Sequence, residues 1–454
     1  MNKESKTICP AVWDHLCVNT MGRNRLCCNA LTNNNDKIFL DPNDTEKQIK
    51  QKDLLEWSRS SDIDGRTLIA GLGFLKHWTH NREPTKKALL KGEQPKVCQQ
   101  CWHKEKIGMK SLRQFMIDRY KRRNIWEDFL KRANNKKIIN KTPTELDLKL
   151  GNFCNLSCRM CSGFSSSKFL SETRKILKET GYDTSKNRYE KDLHKHIVPW
   201  WDYPEFLQLL YYFIDNGLRS IKFTGGEPLM VPNVKKVMEY CIETNKVKDL
   251  ELTIITNMTL IDKEWMNLFS EFKQVSIIGS IDGIGKTYEY IRYPTNWNDV
   301  YNKLKLISAD SNVYNNDKMD KDGKFIPSKE SYIVGTFTFT LSIYNILEVK
   351  NIINLRREIG FGLNCIPVFN PAYLDVKYAP ELLKDEALEM AESIEPVNEN
   401  EAIFIKDFKA KVEESESNIG NIKEMQNKML EITRVKDPFR KQNFDDQDIA
   451  KYYS

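Results

Sequence analysis

The sequence predicts an α/β fold: a partial (β/α)6 barrel of the TIM type, with a small cysteine-rich segment before it and a helical tail after it. Three observations predict it. From about residue 140, apolar strand candidates alternate with amphipathic helical stretches. Nine of the eleven cysteines fall between Cys9 and Cys161. After Pro380 the chain is charged and helical to its end. Strands alternating with helices build a parallel sheet, and six such units make a partial barrel. The expected domains are 1–130, 140–375 and 376–454.

Residues 1–130 hold six cysteines in two groups: Cys9, Cys17, Cys27 and Cys28, then Cys98 and Cys101. Gly22 fits a hairpin turn between two short strands, expected over 13–16 and 25–27. A polar insert separates the groups, with one helix expected around Leu54, Leu55 and Trp57 and another over 67–78. The barrel strands are expected over 145–150, 220–223, 251–256, 274–280, 332–341 and 363–368. Helical windows between them run over 204–216, 232–244 and 346–359. The polar stretch 310–331 reads as a surface loop before the fifth strand. In the tail, helices are expected over 381–393 and 421–432.

Composition excludes some functions. The 454 residues are 40% hydrophobic and 29% charged, which suits a chain with a sizeable core. The start is too polar for a secretory signal, and the apolar run from Phe206 to Ile214 is far short of the roughly 20 residues of a membrane span. A cytoplasmic protein with no membrane partner is expected. The densest basic stretch, Arg119 to Lys141, reads as a solvated helix face and linker. The rival reading, an RNA-binding strip, has no aromatic-interleaved motif beside it, so nucleic acid is not the expected partner. Cytosolic thiols stay reduced, so clustered cysteines point to metal binding or redox chemistry rather than disulfides.

The strand 145–150 runs directly into Cys154, Cys158 and Cys161, spaced Cys-x3-Cys-x2-Cys. Thiolates are the natural ligands of iron–sulfur clusters. Three of them on one loop hold three corners of a four-iron cube and leave the fourth iron open, as catalytic metal centres do. A zinc knuckle is the alternative, but the next histidines, His194 and His196, lie more than thirty residues downstream. The second motif follows the second strand: Gly225, Gly226, Glu227 and Pro228. Two glycines and a proline make a sharp turn with exposed backbone carbonyls, and one carboxylate beside it can hold an ammonium group.

Together the two motifs closely resemble the radical S-adenosylmethionine (SAM) superfamily. The resemblance implies that Cys154, Cys158 and Cys161 hold a [4Fe-4S] cluster. It implies that SAM chelates the open iron and that the turn at Gly225, Gly226, Glu227 and Pro228 binds its amino end. More weakly, it places Asn257 near the ribose, Ser280 and Asp282 in the family's Ser-x-Asp-Gly segment, Arg292 near the SAM carboxylate and Ile366 against adenine. Each of these can equally be barrel packing or capping. Met160 departs from the family, where an aromatic often precedes the third cysteine. The implied reaction is reductive cleavage of SAM to a 5′-deoxyadenosyl radical, followed by hydrogen abstraction from carbon. It needs an external one-electron reductant of the flavodoxin or ferredoxin kind.

The N-terminal pattern Cys9-x12-Gly22-x4-Cys27, with Cys98-x2-Cys101 later, is similar to the twitch module, the shorter relative of the SPASM domain. It implies a second, auxiliary [4Fe-4S] cluster held by Cys9, Cys27, Cys98 and Cys101. Such modules more usually follow the barrel. A four-cysteine zinc site is the alternative, and Cys28 can stand in for Cys27 because neighbouring strand residues point opposite ways. Cys17 reads as a spare, Cys241 as a core residue, and His77 and His80 as packing or surface residues. The auxiliary cluster would take up a substrate electron or bind substrate through an open iron; four ligands favour the first. The substrate leans toward a peptide or protein. Nucleotide, sugar and RNA substrates stay open, as does a non-catalytic iron–sulfur or zinc protein that binds RNA. The pair Trp200-Trp201 reads either as part of a substrate pocket or as packing against the barrel.

Overall fold

The computed structural model describes residues 5–30, 78, 82–135, 142–184, 200–309 and 332–453. The helix around Leu54 and Trp57, the one over 67–78 apart from Trp78, the loop 310–331, and His77, His80, His194 and His196 lie outside these residues. Among the described residues, no helix is long and apolar enough to cross a membrane.

One sheet of eight strands organises the chain: β1 (His15–Val18), β2 (Asn24–Arg25), β3 (Glu145–Leu150), β4 (Ser220–Gly225), β5 (Glu251–Thr256), β6 (Gln274–Ser280), β7 (Tyr332–Leu341) and β8 (Gly362–Pro367). Its order is β2-β1-β3-β4-β5-β6-β7-β8, and it is open, with β2 and β8 at its edges. Strands β3 to β8 are parallel, as the alternation of strands and helices requires. Burial alternates along β5, β6 and β7. Leu252, Ile254, Val275, Ile277, Phe337 and Phe339 are buried in one core with helix residues such as Leu209, Val237, Phe269 and Ile352. The opposite face carries Thr253, Ser276, Thr336 and Thr338 together with Ile255, Ile278 and Val334, so the barrel's interior side mixes polar and apolar residues.

The expected hairpin forms with Gly22 in its turn at φ +69°, but its strands are shorter than expected. Trp13 and Asp14 belong to a short helix, Ala11–Asp14, and Leu26 and Cys27 lie beyond β2. β1 also pairs in parallel with β3, so the hairpin extends the barrel sheet. This pairing satisfies the backbone edge of β3 and buries Leu16 and Val18 in the main core. The rest of the N-terminal region has its own core, in which Ile8, Val12, Leu89, Met116, Tyr120 and Phe129 meet. It reaches the other sheet edge as well. His103 lies edge-on to Phe369 beyond β8, at 6.1 Å, and the Lys110 N–H donates to Asp407 at 3.3 Å.

The tail is built into the barrel. Its helices Glu381–Glu392, Glu399–Val412 and Ile419–Arg440 place Leu383, Phe404, Phe408 and Met429 in the main core. The middle helix was not expected from sequence, and the last runs eight residues beyond the expected end at 432. Burial of Glu401 behind Arg356, at 2.8 Å, shows why a charged stretch folds there.

Much of the basic stretch is neutralised within the chain. Arg119 pairs with Glu145, Arg123 with Glu251, and Arg132 with Asp14 at 2.8 Å. Asp14 is the hub: it also accepts from the Tyr120 hydroxyl at 3.0 Å, and its carbonyl accepts from the Thr144 N–H at 3.0 Å, just before β3. Asp14→Ala should therefore destabilise the chain by about 3 kcal/mol or more, the effect of breaking a buried pair from one side. Urea unfolding followed by circular dichroism measures it; a loss under about 1 kcal/mol would remove Asp14 from this role.

Candidate functional site

The three cysteines lie on the loop after β3, at the carboxyl end of the parallel strands. The Cys161 N–H donates to the Cys158 carbonyl at 3.0 Å, which curls the loop. The thiols crowd one another. The neighbouring Cys161 thiol, and then burial, push the Cys158 thiol well up; burial pushes Cys154 up to about 11. A bound cation relieves such crowding by ionising its thiol ligands. The donor set thus fits an iron–sulfur cluster held by three thiolates.

The turn after β4 is pressed against this loop. Gly225 has φ +144°, and a Cβ there would come within 2.8 Å of the Leu150 carbonyl. At Gly226 a Cβ would come within 1.9 Å of the Phe153 carbonyl. The Glu227 N–H donates to that same carbonyl at 2.6 Å, and Pro228 opens the buried turn that follows. Beneath the loop, a Cβ at Gly151 would come within 2.5 Å of the Trp201 ring. Trp200 and Trp201 are both 2% exposed, so this pair is packing.

The Glu227 carboxylate was expected beside the SAM ammonium. It is fully buried and accepts three hydrogen bonds: from the Leu229 N–H at 3.2 Å, the Thr256 hydroxyl at 2.8 Å and the Asn257 N–H at 2.7 Å. Burial raises its pKa to about 7 against the pull of those bonds. Its side chain ties the turn to the end of β5. Asn257 faces the cysteine loop, donating to Asn155 at 2.8 Å and lying 3.9 Å from the Cys154 sulfur. Arg292 pairs with buried Asp282 at 2.5 Å and reaches within 3.9 Å of the Cys158 sulfur. Asp282 in turn accepts from the Thr340 N–H at 2.8 Å. Ser280 closes β6 opposite Thr338, and Ile366 stands opposite Thr340 on β8, 42% exposed.

Far from this loop, Cys9, Cys27, Cys98 and Cys101 line one small apolar cavity with Val12, Leu26 and Trp102. Burial pushes Cys9 and Cys98 up to about 12 and Cys27 higher still. Cys28 lies outside the cavity, its thiol 3.8 Å from the Asn29 side-chain carbonyl. Among the described residues, no three Cys, His, Asp or Glu side chains gather around a single-ion site.

Residues 148–313 match the radical SAM superfamily. The chain carries a radical SAM domain. The superfamily implies a [4Fe-4S] cluster and SAM. An uncharacterized protein of Methanocaldococcus jannaschii is 29% identical over 140 residues, 31% of this chain and 38% of that protein. The antilisterial bacteriocin subtilosin biosynthesis protein AlbA of Bacillus subtilis is 34% identical over 71 residues, 15% of each chain. Both matches span well under two thirds of the relatives' own lengths. Among solved structures, Streptococcus suis SuiB bound to S-adenosylmethionine aligns over 60% of this chain and 50% of that one, at 15% identity and TM-score 0.32.

Several residues of the radical SAM domain escaped the sequence reading. On the barrel's interior side, Lys222 pairs with buried Asp147, and the Lys149 ammonium donates to the Ser165 hydroxyl at 2.9 Å. The signal was available: Glu145, Asp147 and Lys149 alternate with Leu146, Leu148 and Leu150. Besides Ile366, three exposed apolar side chains, Phe153, Met230 and Phe369, lie beyond the carboxyl ends of β3, β4 and β8. Nothing in their local sequence marked them.

The contact at Gly226 yields a prediction. A methyl group there meets backbone, which cannot swing aside, so Gly226→Ala should cost more than the roughly 1–3 kcal/mol of ordinary overpacking. Chemical denaturation reads the loss, and iron content after reconstitution should fall with it. Unchanged stability and iron would show that the turn does not lie against the loop.

Proposed function

We propose that this chain cleaves SAM reductively at the Cys154, Cys158 and Cys161 loop and uses the resulting 5′-deoxyadenosyl radical to abstract hydrogen from a peptide or protein. The observation that carries the reading is the backbone contact between the cysteine loop and the Gly225-Gly226 turn. It sets three thiol ligands beside the turn, at the mouth where barrel loops converge.

Bound there, the cluster would supply one electron to the SAM sulfonium, whose S–C5′ bond then breaks homolytically. The chain's own residues do the rest. Cys154, Cys158 and Cys161 would hold three irons and leave the fourth for the amino and carboxylate groups of SAM. Backbone carbonyls at Gly225 and Gly226 would receive the ammonium group, while Glu227 fixes the turn from behind. Ile366 offers an exposed apolar surface for adenine. Phe153, Met230 and Phe369 are further exposed apolar side chains beyond strand ends, available to cover a bound substrate.

Cys9, Cys27, Cys98 and Cys101 would hold an auxiliary [4Fe-4S] cluster. Their shared apolar cavity supports a cluster over a single zinc ion, and supports Cys27 over Cys28. Four thiolates suit an acceptor for the electron left by an oxidised substrate. An external flavodoxin-like or ferredoxin-like protein would supply the first electron. The relative named for bacteriocin biosynthesis favours a peptide. The internal pairing of Arg119, Arg123 and Arg132 counts against an RNA strip.

Anaerobic reconstitution with iron and sulfide tests the reading. Wild-type chain should bind about eight irons and release 5′-deoxyadenosine from SAM under reduction. The triple change Cys154→Ala, Cys158→Ala, Cys161→Ala should abolish 5′-deoxyadenosine and keep about four irons. Cys27→Ser should lose the auxiliary irons, and Cys28→Ser should not. Full SAM cleavage by the triple variant would sink the catalytic assignment, and zinc in place of the remaining iron would sink the auxiliary one. Peptides encoded near the gene and host RNA, tried separately, decide the substrate: a mass change on RNA alone would overturn the peptide.

A further inference from the structure

The helix Ile419–Arg440 reaches back across the chain to the cysteine loop. Arg440 donates from Nη2 to the Ser157 carbonyl at 2.6 Å and to its hydroxyl at 3.1 Å, one residue before Cys158. The same guanidinium holds the Glu172 carboxylate at 2.7 and 2.6 Å. Three residues earlier in the helix, Asp437 pairs with Arg159, which lies between Cys158 and Cys161. Asp437 also accepts from the Tyr290 hydroxyl at 3.2 Å. Just past the helix, the Gln442 side-chain carbonyl accepts from Arg159 at 2.8 Å. The Arg159 guanidinium lies 3.7 Å above the Tyr290 ring. The side chains of Arg159, Asp437 and Arg440 are 2%, 8% and 0% exposed.

We propose that Asp437 and Arg440 are positioning residues of the catalytic cluster: Arg440 fixes the loop, and Asp437 cancels the charge that Arg159 would otherwise impose on the cluster. The proposal rests on the triad holding a cluster. A buried guanidinium has little solvent to screen it, so its field reaches whatever the adjacent thiolates bind. Charge and hydrogen bonds around an iron–sulfur cluster set its potential. An uncompensated cation stabilises the reduced, more negative cluster and makes it a weaker donor to SAM. Asp437 removes that cation electrostatically without removing the hydrogen bonds by which Arg159 ties the loop to the helix Gly285–Ile291: its Nε donates to the Tyr290 carbonyl at 2.9 Å, and its N–H to the Ile291 carbonyl at 2.8 Å. The carboxylate and the cysteine loop are 278 residues apart in sequence, so the chain's end completes a site begun at its first barrel strand.

The experiment compares reconstituted wild type with Asp437→Asn, Asp437→Glu and the double variant Arg159→Gln with Asp437→Asn, all as full chains. Iron content, and the midpoint potential of the cluster whose EPR signal changes on adding SAM, are read first. Asp437→Asn should keep its iron and shift that potential upward. Its rate of 5′-deoxyadenosine formation should fall about tenfold, with the KM for SAM little changed. Asp437→Glu should recover most of both. The double variant, which buries no unpaired charge, should return the potential toward the wild-type value. An unchanged potential in iron-replete Asp437→Asn would overturn the proposal. If Asp437→Asn does not fold, the double variant decides: iron with a near-wild-type potential supports the pairing, and a failure to hold iron overturns it. Wild type without iron on the triad is a separate outcome, and refutes the proposed function itself.

Discussion

Between the carbonyl of Phe153 and the turn at Gly226 there is no room for a side chain, and the rest of the site is arranged around that contact. It fixes how far the cysteine loop stands from the end of β4. Glu227 then carries the constraint sideways, since its buried carboxylate collects the Asn257 N–H and the Thr256 hydroxyl from β5. Asn257 closes the circuit by facing Cys154 and Asn155. One backbone approach thus couples three consecutive strand ends. A barrel mouth provides such convergence because all its parallel strands end on the same side.

Charge is handled by the same economy of space. Arg292, Arg159 and Arg440 all approach the cysteine loop, and each meets a carboxylate: Asp282, Asp437 and Glu172. Arg440 donates to the loop, Arg159 anchors it from within and Arg292 stands beside Cys158, while the charge of each is compensated nearby. Unpaired, such buried charges would cost several kcal/mol each. The three carboxylates come from very different parts of the chain, which is why the loop cannot be understood from the barrel alone.

How much of this was legible varied with the range of the interaction. The barrel strands were readable because β-rich apolar runs are local, and β3, β5, β6 and β7 begin and end where the pattern changes. β4 runs on to Gly225 because its last two residues pair with Lys149 and Leu150, a fact of the neighbouring strand. The four-residue β1 was readable as part of a hairpin, but its parallel partner was not, since no local pattern names it. That Glu227 is buried could not be read locally, because burying an acid is uncommon and takes donors from its own turn and from the end of β5. The tail helix 399–412 hid behind its charges, because Glu401 and Asp407 face protein rather than water. The cysteines showed most readily, since their spacing is itself the signal.

The N-terminal region touches both borders of the open sheet, through β1 beside β3 and through His103 and Lys110 beside Phe369 and Asp407. A ribosome delivers these partners far apart in time. Lys110 emerges before β3, and Asp407 only after β8. The flank beside β8 therefore stays unlatched while most of the protein is being made. Once Asp407 arrives, a segment made before the barrel fastens one made after it.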